Sequence, residues 1–171
     1  MSFEQLLSKI TMPAAQDVAK HWNEARGKRL MPAWEDINPA AIARHLPFVW
    51  SWKYDAATDE MIGRLAGDRI VDALRGNLRG QTATEFFKNR GGNEMVERAR
   101  RVMTEPCFFY GRGAVFSHTK RVVDGERVIL PLSTDGKIAD GIFGITVFET
   151  PGTTSEIGDY PQSETGEFIP L

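Results

Sequence analysis

The sequence predicts an α+β domain: a five-stranded antiparallel sheet, short helices on one face, and two further helices ahead of it. Three observations carry this. The stretches 48–54 and 61–66 alternate with the period of a strand, and three more apolar runs follow residue 106. Between these two groups the period becomes helical, broken by Gly76, Gly80, Gly91 and Gly92. Two Asp-Gly pairs, Asp124-Gly125 and Asp135-Gly136, separate the later runs, where short hairpins form.

Residues 3–10 place Phe3, Leu6, Leu7 and Ile10 on one helical stripe, with Ser2 and Gln5 as a capping box. Pro13 suits the first turn of a second helix and Gly27 its end, with Val18, Trp22 and Ala25 at helical spacing between them. Helices this short do not stand alone. Phe3, Leu6, Leu7, Ile10, Val18 and Trp22 therefore dock either across a dimer axis or on the open face of their own sheet.

Residues 31–47 are punctuated by Pro32, Pro39 and Pro47, and Asn38-Pro39 opens a short helix that Pro47 stops. Phe48, Trp50, Trp52 and Tyr54 then share one face of the first strand. A turn over 55–59 leads to the second strand, where Met61, Gly63 and Leu65 alternate with Ile62, Arg64 and Ala66. Gly67 ends that strand and Asp68 stands as the next N-cap. Ile70, Val71 and Leu74 share a helical face, and Gly76 offers a left-handed stop. Thr82 with Glu85 forms a capping box, followed by Phe86 and Phe87.

A helix over 94–104 turns Met95, Val96, Ala99, Val102 and Met103 inward and leaves Arg98, Arg100 and Arg101 mostly solvated. Strand three covers 107–122, with Gly111 and Gly113 marking a bend; strand four covers 126–133, with an edge or bulge at Pro131. Strand five, 138–148, is apolar on both faces and therefore central. From Thr150 no Lys or Arg occurs, and this acidic stretch cannot bury enough apolar surface to fold alone. The division is thus N-terminal helices (1–30), the sheet-bearing domain (31–149) and an acidic, flexible tail (150–171).

Several of these residues occur in a recognisable order. Arg64-Leu-Ala-Gly67, Ile70, Gly76 and Leu78-Arg-Gly80 lie at the centre. Met31-Pro32, Asp36-Ile37, Pro39 and Leu46-Pro47 precede them; Glu126-Arg-Val-Ile-Leu-Pro-Leu-Ser133 and Asp135-Gly136 follow. In this the chain, from about Val18 to Phe148, resembles the bacterial stand-alone PAS proteins, formerly a domain of unknown function. Asp68 departs from the small hydroxyl residue expected there but keeps the cap. The resemblance implies a PAS-like fold and a sensory or regulatory role. N-terminal helices in such proteins often pack across a dimer axis, so it also implies a homodimer.

Composition narrows the rest. A net charge of −2 leaves no overall electrostatic footprint for nucleic acid, and the arginines at 90, 98, 100 and 101 read as a solvated helix face. One cysteine, Cys107, excludes an internal disulfide framework and fits a reducing compartment. No run approaches the ~20 apolar residues of a spanning helix, and residues 1–10 lack the pattern of a secretory signal. A soluble, cytoplasmic protein without membrane contact is expected. His21, His45, His118 and Cys107 show no metal-ligand spacing. Ser117 and His118 are strand neighbours pointing to opposite faces, Cys107 has no basic neighbour, and neither glycine cluster matches a nucleotide loop. Haem-carrying PAS domains usually supply a histidine from the helix before strand three, and photoactive flavin types a cysteine from an earlier helix. Residues 94–104 hold no histidine and 69–87 no cysteine, so no cofactor is expected.

A ligand pocket would draw apolar walls from Trp50, Trp52, Leu65, Ile70, Leu74, Phe87, Val102, Phe116, Ile129 and Ile145, with Arg64, Tyr110 and His118 as polar groups. Close packing of these aromatics into a dry core is the preferred reading of the residues alone. The expected function is non-catalytic: a sensory or regulatory domain that binds a signalling partner or itself, modulated by a small ligand. No kinase, cyclase or DNA-binding segment fits beside it. Two alternatives remain: a ligand-free structural adaptor, and a small cone-fold enzyme, which would need Asp72 or Asp140 buried beside Tyr110.

Overall fold

The computed structural model describes residues 2–116, 124–149 and 164–171. Its strands are β1 (Val49–Asp55), β2 (Glu60–Ala66), β3 (Cys107–Ala114), β4 (Asp124–Leu132), β5 (Gly141–Phe148) and β6 (Glu164–Pro170). They form one antiparallel sheet in the order β2-β1-β5-β4-β3-β6. Among the described residues five α-helices cover it: α1 (Ser2–Lys9), α2 (Pro13–Arg26), α3 (Asp68–Leu74), α4 (Ala83–Phe87) and α5 (Asn93–Thr104). Short 3₁₀ segments at Trp34–Asp36 and Pro39–Phe48 lead into β1.

Strand alternation assigns the helices to faces. Phe108 meets Trp22 of α2 edge-on at 5.1 Å and Phe3 of α1 at 6.2 Å. Its neighbour Phe109 points the other way, beneath the Arg98 guanidinium of α5 at 4.8 Å. Thus α1 and α2 cover an outer face, while α5 packs on the inner face that also carries Trp50 and Trp52. Of the two dockings open for the N-terminal stripe, the one on its own sheet is observed. Phe3, Leu6, Ile10, Val18 and Trp22 are buried within the single chain, and Leu7 is half-buried. The Trp22 indole donates to the Pro131 carbonyl at 2.8 Å.

Among the described residues the sheet has six strands rather than five. The stretch 164–170, expected to belong to a flexible tail, pairs along β3 from Cys107↔Pro170 to Gly113↔Glu164. Inability to fold alone is the wrong criterion for it: a segment that joins an existing edge needs only to complete that strand's unpaired backbone groups. Residues 150–163 of that tail lie outside the described residues.

Several local expectations shift for similar reasons. Asp124-Gly125 is not a two-residue turn; it opens β4, paired with Ala114 and Gly113, and Gly125 also lies opposite Phe148 of β5. Strand pairing outweighs turn preference there. Asp135-Gly136 does turn: Gly136 has φ 74°, and the Asp135 carboxylate accepts from the Lys137 and Ile138 amides and the Ser133 hydroxyl. That turn delays β5 to Gly141 and leaves Ile138 exposed. Pro131 sits beyond the last β3–β4 pair, Phe109↔Ile129, where the missing amide costs no ladder bond. Gly67 is itself the cap of α3, with Asp68 in the first turn, and Arg75 rather than Gly76 adopts the left-handed stop. Gly67 has an ordinary φ of −68°; its requirement is space, since a Cβ there would lie 2.0 Å from the Leu46 carbonyl oxygen.

The outer layer is pinned by one carboxylate. Glu126 of β4 is fully buried and accepts from the Thr11 amide (2.8 Å), the Thr11 hydroxyl (2.6 Å), the Met12 amide (2.8 Å) and the Tyr110 hydroxyl (2.8 Å). Burial pushes its carboxyl up, but these four donors outweigh burial and hold it below the ordinary value. Tyr110 is pushed well above the phenol range by burial and by the same carboxylate.

Glu126→Gln should therefore lower stability at pH 7 by about 2 kcal/mol, the scale of hydrogen bonds to a charged group. A depressed folded pKa stabilises above the unfolded value, about 4.3, and its contribution fades as pH falls through the folded one. Urea midpoints of the two proteins should stay a constant distance apart from about pH 8 to 5.5 and converge below about 4. An undiminished gap at pH 3 would contradict the clamp.

Candidate functional site

On the inner face, β1, β4 and β5 present Trp50, Arg127, Ile129, Gly144 and Thr146 toward α3, α4 and α5. The register lines up Trp50, Gly144, Ile129, Phe109 and Phe168 across five strands. Thr146 and Arg127 form the next row. Over these rows lie Ile70 and Leu74 of α3, Leu78, Phe87 of α4 and Met95 of α5, enclosing an apolar chamber of about 20 Å³. That is room for one water.

The chamber's polar wall is Arg127. This side chain is 4% exposed, and its guanidinium donates to the Thr146 hydroxyl (3.3 Å), the Val115 carbonyl and Glu164 of β6 (2.7 Å). Thr146 also accepts from the Trp50 indole at 2.9 Å. Burial pulls the Arg127 pKa down, opposed chiefly by Glu164; a guanidinium starting above about 12 stays charged. Arg98 of α5 reaches the same Glu164 oxygen at 2.6 Å. On the far side of Arg127 a second cavity, of about 260 Å³, opens between the start of α5 and the sheet, lined by Asn93, Met95, Arg98, Ala114, Val115 and Glu164 among others. Met95 and Arg127 line both spaces.

Of the pocket residues expected from sequence, Trp50, Ile70, Leu74, Phe87 and Phe116 line the chamber. Trp52 belongs to the same face, packed against Phe86 and Phe87 at 6.2 and 6.0 Å between ring centroids. Val102 and Ile129 are buried core. Four others do not join them. Tyr110 and Ile145 point to the outer face, Tyr110 onto Glu126. Leu65 lies opposite Ser51, whose side chain alternates away from Trp50 and Trp52. Arg64 falls at the irregularity between Ser51 and Trp52 and stacks 4.7 Å from the Trp34 ring, itself edge-on to Phe143 of the outer face. One register irregularity and strict alternation thus divert these residues from the cleft. His118 lies outside the described residues.

The charged groups of the site depart from the sequence expectation. Arg98, expected to be solvated, is 16% exposed and turned inward; its position three after Met95 and four before Val102 places it on the buried stripe. Arg127 shares strand parity with Ile129, which marks it as inward. Glu164 carries no such signal. The other arginines of the expected solvated face are also docked: Arg90 over Phe86, Arg101 over Phe168, Arg100 on Asp59.

A five-strand core in the order β2-β1-β5-β4-β3, helices between β2 and β3 laid over one face, and a cleft beneath them define a PAS-type domain. The family described as PAS domain matches residues 10–147, and the chain belongs to it. No curated protein and no solved structure matches the chain. Among the described residues no helix is long and apolar enough to cross a membrane.

If Arg127 needs a buried counter-charge, Glu164→Leu should cost about 3–5 kcal/mol, and adding Arg127→Met should restore most of it. A double-mutant cycle by urea denaturation measures this; additive losses would show the pair to be uncoupled.

Proposed function

We propose that this PAS domain is a sensory or regulatory module without catalysis of its own, taking a small ligand in the cleft under α5 and acting on a signalling partner or a second copy. The supporting observation is the adjacency of two cavities under α5: Met95 and Arg127 are shared walls of the apolar chamber and the charged cavity. The route outward is short. Arg127 faces the cleft, and the adjacent Glu126 grips the α1–α2 corner from the same strand. A shift of β4 that accommodates a ligand acts on both. Occupancy biases that equilibrium only by its differential affinity for the two arrangements. A second copy would use surfaces other than the buried N-terminal stripe.

The tight packing around the 20 Å³ chamber favours one rival, a ligand-free adaptor. The enzymatic rival needs a free carboxylate beside Tyr110. The carboxylate there is Glu126, and four donors already occupy it, leaving it poorly suited to take a proton.

The test is native mass spectrometry of protein purified from its own host, with Met95→Trp filling the junction of the two spaces. A bound small molecule is expected in the wild type and absent from the variant, with altered hydrogen exchange over residues 2–26. No adduct, together with unchanged exchange in the variant, would establish the adaptor reading instead.

A further inference from the structure

The charged cavity contains an anion site that its own carboxylate uses incompletely. Arg98 and Arg127 both donate to Glu164 Oε2, at 2.6 and 2.7 Å. Oε1 of the same carboxylate is buried and has no hydrogen-bond donor among the described residues. It rests over Gly111, where a Cβ would come within 2.2 Å of it. The Glu164 side chain is only 4% exposed. Among the described residues the other acid paired with Arg98, Glu94, is 80% exposed and 3.5 Å away, too solvated to balance the second guanidinium. Two arginines thus converge on a single oxygen, whereas guanidinium groups bind carboxylates best through both.

Resting on the reading of the cleft as a ligand site, we propose that it takes a small carboxylate-bearing molecule whose carboxylate competes with Glu164 for Arg127 and Arg98. The remainder of the molecule lies along Met95, Ala114 and Val115. A planar, bidentate carboxylate suits the arginine fork, and the site already holds that group in the form of Glu164. A cavity of about 260 Å³ falls just below the ~300 Å³ lower end of small-molecule sites, which restricts the ligand to a small metabolite. Because Glu164 begins β6, the competition also loosens that end of the strand from β3.

Butyrate, 1-butanol and inorganic phosphate titrated calorimetrically into the wild type, Glu164→Gln, Gly111→Ala and Arg127→Met test this. Butyrate should bind the wild type, bind Glu164→Gln about tenfold more tightly and lose affinity for Arg127→Met. Gly111→Ala, which displaces the Glu164 carboxylate while keeping every charge, should match Glu164→Gln and serves if that variant does not fold. Hydrogen exchange over 164–170 should quicken when butyrate binds the wild type. Equal butyrate affinity across the four proteins, or phosphate binding as tightly, overturns the inference. Butanol binding without butyrate binding leaves the ligand cleft standing and removes only its carboxylate preference. No binding by any probe also overturns the preference; the cleft itself fails only if the host-purified protein carries no adduct as well.

Discussion

The structure depends on two opposite charges placed side by side on an interior strand. Glu126 and Arg127 are consecutive residues of β4, 0% and 4% exposed, and strand alternation sends them to opposite faces. Neither pairs with the other. Glu126 satisfies the amides at the α1–α2 corner, and Arg127 donates to Glu164, Thr146 and the carbonyl of Val115. Burying an ion costs several kcal/mol unless its partners are placed well. Each face must therefore assemble around its own charge, and this fixes how both helical layers seat on the sheet. Hydrophobic burial provides the driving force; the charged step specifies the register.

The inner layer shows why so large an aromatic surface leaves so small a chamber. Trp52, Phe86 and Phe87 stack on one another, with Phe86 and Phe87 edge-on at 5.0 Å. Trp50 lies across Gly144, where a Cβ would come 2.3 Å from its ring. Arginines then seal the margins by lying over aromatic rings, Arg90 on Phe86, Arg98 on Phe109 and Arg101 on Phe168. Their alkyl stems cover apolar surface, so residues that look like solvent-facing charge serve as packing.

This explains what can and cannot be read from the chain. Periodicity, with caps and breakers, locates the core strands and the helices among the described residues, because apolar spacing is what buries them, though it carries the third strand past Ala114, where β3 ends. It also picks out Trp50, Ile70, Leu74, Phe87 and Phe116 as pocket walls, since each sits on a buried face of its own element. It misplaces Arg64 and Leu65 because one register irregularity between β1 and β2 is invisible to alternation. It passes over Arg98 and Arg127 because charge weighs as evidence of exposure, although both stand on apolar stripes. Glu164 is illegible for a deeper reason: β6 is defined by the edge it joins, and nothing in its own composition records that β3 has one free.

The exchange of one carboxylate for another on Arg127 and Arg98 has an energetic consequence. The Coulomb attraction lost from Glu164 is largely regained from the ligand, so charge selects the class of molecule without supplying much net affinity. What remains is a difference between two effects: burial of the ligand's carbons along Met95, Ala114 and Val115, and the β3–β6 pairing relaxed near Glu164. Each methylene buried there contributes about 0.8 kcal/mol, and butyrate brings only three carbons beyond its carboxylate. Driving a two-state equilibrium from one extreme to the other takes about 5.5 kcal/mol of differential affinity. A ligand as small as butyrate falls short of that, so on the proposed reading it would bias the domain in proportion to its concentration and would not act as a latch.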